Sequence, residues 1–251
     1  MPSKSYVIRI TGDKGRGMLE LMMAGKKSSS APSKPDFGFN FDKMVSTGTT
    51  AISVTNASGY QKATPVAITG YTKTMFGTGS PTFPIVPATV FNYLTGDFTV
   101  EAVFMVSSTT NGYATIFAQN NGSNIGLVIR IGDSGFGNRL QVSTSPGTAS
   151  KVFSTKFTRA DLYNKWTHIA VQRVAGKLSV YVNGVLQGLA VGTGSDYSST
   201  TQPSTESLSL TSSQQLALIT AGYLCITEIA VNKVAKYAAN FTPTYPLYPT
   251  T

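Results

Sequence analysis

The sequence predicts an all-β protein, an antiparallel sandwich of two sheets, and three observations carry that prediction. The run from Trp166 to Gly184 spells strands with their turns included. Charged residues are scarce, 20 Lys and Arg with 11 Asp and Glu in 251 residues, while 24 glycines and abundant Ser and Thr suit a strand-and-turn protein with a polar, uncharged surface. Short apolar segments recur along the chain at the spacing of a β-sandwich.

Taken in order, Tyr6 to Thr11 reads as a short strand and Met18 to Ala24 as a short helix or a second strand. Residues 26–35, with Ser28, Ser29, Ser30, Pro32 and Pro35, have linker composition, so residues 1–35 form an amino-terminal arm and residues 36–251 the sandwich. Phe37 to Phe41 carries aromatics at period two, and Ala51 to Thr55 and Pro65 to Thr69 read as outer strands. Strands follow at 97–106, 113–119, 126–131, 139–143, 166–174, 177–182, 185–189, 215–221 and 223–231, with one helical turn around Thr158 to Asn164.

Within the central run, Leu178, Val180 and Val182 fall on one face and Ser179 and Tyr181 on the other, as a half-buried strand requires. Ala175-Gly176 occupies the place of a two-residue hairpin loop. Asn183-Gly184 is the stronger turn signal, because a type I′ turn needs positive φ at both central residues. Trp166 begins a buried strand and is expected in the core. Residues 192–207, rich in Ser, Thr and Gly, form a long polar loop suited to a binding edge.

The net charge of +9 is unevenly spread. Residues 1–35 hold Lys4, Arg9, Lys14, Arg16, Lys26, Lys27 and Lys34 against Asp13 and Glu20, so this arm alone carries +5. Such an arm can dock on an acidic protein surface. Nucleic acid is not expected as a partner, since the arm interleaves no aromatic beyond Tyr6 and contains no recognised binding motif. No stretch approaches the ~18 consecutive apolar residues that cross a bilayer, and Met18 to Ala24 is too short and carries Glu20, a poor match to a secretory signal. Cys225 is the one cysteine, which excludes an intramolecular disulfide framework and suits a buried, inert thiol.

An aromatic anchor, Trp166, with His168 at the head of a meander and Tyr181-Val182-Asn183-Gly184 after it, resembles the laminin G-like and pentraxin-like branch of the concanavalin A-like lectin/glucanase superfamily. The resemblance implies a two-sheet jelly roll in which Trp166, His168, Tyr181, Asn183 and Gly184 are structural. Phe98 to Phe104 resembles the family's early "FTVEAWV" strand, and Gly222 to Val231 its closing strand. There Cys225 and Thr227 replace the usual apolar and acidic residues, and Ala230 and Val231 stand where many members carry a charge. The segment Val234 to Pro243, followed by Tyr245-Pro-Leu-Tyr-Pro249, is similar to the ending common in laminin G-like proteins of bacteriophage virions, and Tyr245 to Pro249 is expected to close the domain by packing against the sheet.

Glucanases on this fold set paired carboxylates two apart on one strand, so that one protonates the leaving oxygen while the other attacks or activates water. This chain has no such spacing; Asp97 with Glu101 is its closest pair, and Asp97 reads as the opening of a strand. His168 is the sole histidine, so acid–base or Ser/His/Asp chemistry would have to run through a residue the resemblance makes structural. Asn120, Asn121, Asn124 and Asp133 could offer oxygens to calcium, yet Asn-Gly is common turn chemistry and no acidic cluster accompanies them, so no metal or other cofactor is assigned. Gly12 to Gly17 lacks the Gly-Lys-Ser/Thr ending of a phosphate loop and reads as a glycine-rich turn. Tyr60, Tyr71, Tyr113, Tyr197 and Tyr223 are candidates to stack on sugar rings.

The expectation is therefore a non-enzymatic virion protein, a capsid decoration, head fibre or tail-associated component. Its basic arm would fasten a lectin-like sandwich to other virion proteins and to further copies of itself. The alternative is an adhesin module that binds a host-cell polysaccharide.

Overall fold

The structure, a computed structural model, describes residues 37–40, 45–48, 60–63, 74–77, 82–86, 95–106, 112–120, 125–144, 151–205, 208, 214–217, 224–245 and 247. The arm 1–35, with Lys4, Arg9, Lys14, Arg16, Lys26 and Lys27, lies outside the described residues, as do the strands expected at 51–55 and 65–69.

Among the described residues the early strands are β1 (Phe37–Asn40), β2 (Val45–Gly48), β3 (Tyr60–Ala63), β4 (Thr74–Gly77) and β5 (Thr82–Val86). Next come β6 (Phe98–Val106), β7 (Ala114–Asn120), β8 (Ile125–Ile131), β9 (Arg139–Thr144) and β10 (Lys151–Thr158). The helical turn α1 (Arg159–Leu162) precedes β11 (Trp166–Val174), β12 (Lys177–Val182), β13 (Val185–Leu186) and β14 (Ala190–Val191). The series closes with β15 (Gln202–Pro203), β16 (Gln214–Ala217) and β17 (Leu224–Asn232).

These strands make two antiparallel sheets. The larger runs β13-β12-β11-β6-β17-β1-β2, with β15 on β12 and the β3–β4 pair on β17; the smaller runs β14-β10-β9-β8-β7-β16-β5. Period two sends Val100, Ala102 and Phe104 of β6, Ile169 and Val171 of β11, and Val180 and Val182 of β12 to the inner face. There they pack in one cluster with Leu127, Ile129, Val142 and Phe153 of the smaller sheet. Burying each such side chain contributes about 1.5–3 kcal/mol, so this cluster is the main source of cohesion between the layers.

Both expected hairpins form. Ala175 and Gly176 have φ of 47° and 72°, and Asn183 and Gly184 have φ of 50° and 78°, the positive pairs of a type I′ turn. At α1 the Thr158 hydroxyl accepts from the Asp161 N–H, while the Asp161 carboxylate accepts from the Thr158 N–H at 2.8 Å, a reciprocal cap that places the helical turn where it was expected.

Four features differ from the reading of the sequence. Strand β10 was not anticipated, and the return strand at 185–189 keeps strand geometry only at Val185–Leu186. Trp166 leaves the inter-sheet core: because Ile169 and Val171 hold the inner face of β11, alternation turns Trp166 outward, half-buried beside Val103, Ala230 and Leu247. In β17 an extra residue, Thr227, interrupts the register with β6 between Ile226 and Glu228, and this bulge lets Ile226 and Ile229 both face inward.

No helix among the described residues is long and apolar enough to cross a membrane.

Candidate functional site

The outer face of the larger sheet should be solvated if alternation alone ruled, but β6 and β17 are buried on both faces. Its cover is residues 233–245 with Leu247, and the polar residues of the outer face are its attachment points. The Thr99 hydroxyl donates to the Val234 carbonyl at 2.8 Å. Gln172 receives the backbone N–H groups of Lys236 and Tyr237 on its Oε1 at 3.3 and 3.1 Å. Farther along, the Leu186 N–H donates to Asn240 Oδ1 at 2.8 Å, and the Leu247 N–H donates to the Glu228 carboxylate at 2.7 Å.

At the centre lies Glu101, 1 % exposed. Its carboxylate accepts from His168 Nε2 at 3.2 Å, from the Lys236 ammonium and from the Tyr237 hydroxyl. Burial alone pushes this carboxyl up, but the His168 hydrogen bond and the Lys236 charge outweigh it and hold the group below its ordinary value. An ionised carboxylate only accepts, so the Nε2 atom of His168 carries the proton in this contact. Burial, followed by the Glu101 charge, pushes the Tyr237 phenol upward, which keeps it a donor.

Aromatic rings close over the cluster. Tyr237 and Phe241 stack with centroids 3.6 Å apart and planes at 4°, and the His168 ring meets Phe241 edge-on at 5.7 Å and Tyr245 at 6.5 Å. The Asn183 amide oxygen accepts from the His168 N–H at 2.9 Å, and the Tyr181 hydroxyl donates to the Tyr237 carbonyl at 3.3 Å. The five motif residues therefore meet on one face: Trp166, His168, Tyr181 and Gly184 touch the covering segment, and Asn183 holds the backbone of His168. Thr99, Glu101 and Gln172 complete the arrangement; Thr99 and Gln172 were not singled out in the sequence, and Glu101 only as the nearest acid to Asp97. Asp97 and Glu101 do not form a working pair, since Asp97 is exposed and caps the Ala175 N–H at 2.9 Å. Cys225 is buried on β17, where desolvation pushes its thiol up to about 11.

A second locality is open. A cleft of about 510 Å³ lies where β10 and the β12–β13 hairpin approach the polar loop, lined by Lys156, Phe157, Asn183, Val185, Leu186 and Tyr197 among others. Val185 is 50 % exposed there. Tyr197, an expected sugar-stacking residue, reaches the cleft, with the Arg139 guanidinium 5.4 Å from its ring centroid. Tyr113, 39 % exposed, lies away from this cleft, with the Arg130 guanidinium 4.7 Å from its ring centroid. The Tyr60 side chain, Tyr71 and Tyr223 lie outside the described residues.

Of the four calcium candidates only Asp133 has a described side chain, since that of Asn120 lies outside the described residues. Asn121 and Asn124 lie outside the described residues, and Asp133 faces Tyr113 beside the cationic Arg130, an unfavourable setting for a second cation. Among the described residues no group of three or more His, Cys, Asp or Glu side chains could hold a metal.

A sequence profile of the laminin G type, described as the Concanavalin A-like lectin/glucanases superfamily, matches residues 78–217, more than half of the chain. The chain belongs to this superfamily. The concanavalin A-like sandwich also matches solved structures. The botulinum neurotoxin serotype D binding domain is 12 % identical over 81 % of this chain and 49 % of that one, with a TM-score of 0.53. A structure of botulinum neurotoxin type C, whose cell entry depends upon interaction with two ganglioside molecules, is 13 % identical over 81 % and 49 %, with a TM-score of 0.56. The binding domain of botulinum neurotoxin DC in complex with rat synaptotagmin II is 14 % identical over 83 % and 50 %, with a TM-score of 0.55. The chain spans about half the length of these structures, and at such identity the likeness is one of fold. No curated protein matches it. The superfamily match ends at residue 217, so β17 and the segment that covers the outer face lie beyond it.

Proposed function

We propose that this concanavalin A-like protein is a non-enzymatic structural component of a bacteriophage virion, a capsid decoration, head fibre or tail-associated protein that presents a lectin-like sandwich on the particle surface. The observation that carries the reading is the segment Val234 to Pro243, whose sequence resembles the ending of laminin G-like virion proteins. It is bound to the sheet through Thr99, Glu101, Gln172 and Gly184, as expected of an integral part of such a domain. In this reading the basic arm with Lys4, Arg9, Lys14, Arg16, Lys26 and Lys27 fastens the sandwich to other virion proteins or to further copies of the chain. Mass spectrometry of purified particles tests the location, and a chain absent from them ends the reading. Deleting residues 1–35 is expected to leave the sandwich folded by circular dichroism and to abolish incorporation. An unfolded truncation would instead make the arm part of the core.

A second reading, compatible with the first, is a module that binds a cell-surface glycan. The open cleft beside Tyr197 favours it. The ganglioside dependence of one structural neighbour adds support at the level of fold. Binding to a glycan array by the full chain is the test.

A further inference from the structure

We propose that the cleft between the sheet edges takes a carboxylated saccharide, with Lys156, Asn183 and Tyr197 as its polar contacts. The inference rests on the glycan-binding reading and names its ligand class. At about 510 Å³ the cleft falls within the size range of ligand pockets. Half-buried Phe157 and Tyr197 offer ring surface to the C–H face of a pyranose.

The polar lining supplies donors and positive charge. Lys156 is exposed, and among the described residues no carboxylate lines the cleft. Arg139, outside the lining itself, donates from Nη1 to the Lys156 backbone carbonyl at 3.1 Å and lies over the Tyr197 ring, which supports the wall that Tyr197 forms. The Asn183 amide oxygen is already engaged by the His168 N–H, so this side chain turns its NH₂ group to a ligand. The Tyr197 hydroxyl is buried with no hydrogen-bond partner among the described residues, an unmet polar group in a wall of the cleft. Nearby Asp196 caps the Ser198 N–H at 2.9 Å and does not line the cleft. One lining cation, an amide donor and an unmet hydroxyl, with no acid among the described lining residues, complement a sugar bearing a carboxylate better than a neutral one.

The test is binding of the full chain to matched oligosaccharides: galacturonate oligomers against their methyl esters, and N-acetylneuraminate-terminated glycans against their neutral counterparts, with inorganic polyphosphate as a sugar-free polyanion. The acidic member of each pair is expected to bind about tenfold tighter, the scale of one charge-assisted hydrogen bond. Lys156→Gln is expected to remove most of that preference with no change in thermal midpoint, since the side chain is exposed, and Tyr197→Phe to weaken binding of the acidic sugar. Equal affinity for neutral glycans, equal affinity for polyphosphate, or unchanged binding by both variants overturns the inference and leaves the glycan-binding reading standing. Failure of the wild-type chain to bind any glycan removes that reading itself.

Discussion

Gly184 and Phe241 lock the hairpin to the covering segment: the Phe241 N–H donates to the Gly184 carbonyl at 2.9 Å, and a Cβ at Gly184 would collide with the Phe241 carbonyl oxygen. With φ at 78°, the position is also in the left-handed region that glycine tolerates. Gly184→Ala is therefore expected to destabilise the fold by about 1–3 kcal/mol. Urea denaturation measures the difference, and a midpoint equal to wild type would show that the contact is dispensable.

Glu101→Gln removes the charge that faces Lys236 and His168, and a loss of about 2–4 kcal/mol is expected from leaving a buried network half-satisfied. The folded-state pKa of Glu101 lies below its ordinary value of 4.5. The unfolded chain therefore binds this proton first, and the stability the carboxylate contributes, present above pH 4.5, is lost as pH falls through the folded value. Stability curves from pH 6 down to pH 3 should slope less steeply for the variant; parallel curves would remove Glu101 from the acid response.

The alkaline limb belongs to Tyr237, whose folded-state pKa is raised above its ordinary 10.0. Its contribution is present below pH 10 and falls as pH rises past that value, because the unfolded phenol ionises while the folded one holds its proton. Tyr237→Phe keeps the ring stacked on Phe241, is expected to lose about 1.5–3 kcal/mol near neutrality, and should flatten the decline above pH 10. An identical alkaline decline in the variant would contradict this assignment.

Ending the chain after Asn232 uncovers Val103, Ala230, His168 and Tyr181 together and leaves Glu101 without Lys236 and Tyr237. The shortened protein is expected to lose its sharp unfolding transition and to elute as aggregates in size-exclusion chromatography. A monomer with a cooperative melt would mean that the outer face tolerates water.

The inner face was legible because residues such as Leu178, Val180 and Val182 declare it by period two, and the type I′ turns because only a few residue pairs accept positive φ twice. Strand β10 escaped because its inner and outer sides do not alternate in polarity: Ser154 is buried, held by the Gln141 amide at 3.0 Å and donating to the Gly192 carbonyl at 2.8 Å. The motif positions were found through their resemblance and the packing of Tyr245 and Leu247 on the sheet was expected, but the contacts of Val234 to Phe241 with the motif were not. Thr99, Glu101 and Gln172 look like solvent-facing polar residues on their own strands. Their burial depends on a segment far along the chain; the Thr99 and Val234 partners are 135 residues apart, a separation that local periodicity does not register. A polar stripe aligned across three neighbouring strands, together with a Tyr- and Phe-rich segment after the closing strand, was the available signal.

The cover over the larger sheet also sets an order of events during synthesis. Strands β6, β11 and β12 can all have left the ribosome and paired while the residues that shelter Glu101 are still to be translated or still inside the exit tunnel. For that interval the nascent domain exposes Val103, Trp166 and Tyr181 beside a carboxylate stripped of two of its three donors. Chaperone capture or premature self-association would fall within this window and end once residues 233–247 settle onto the sheet.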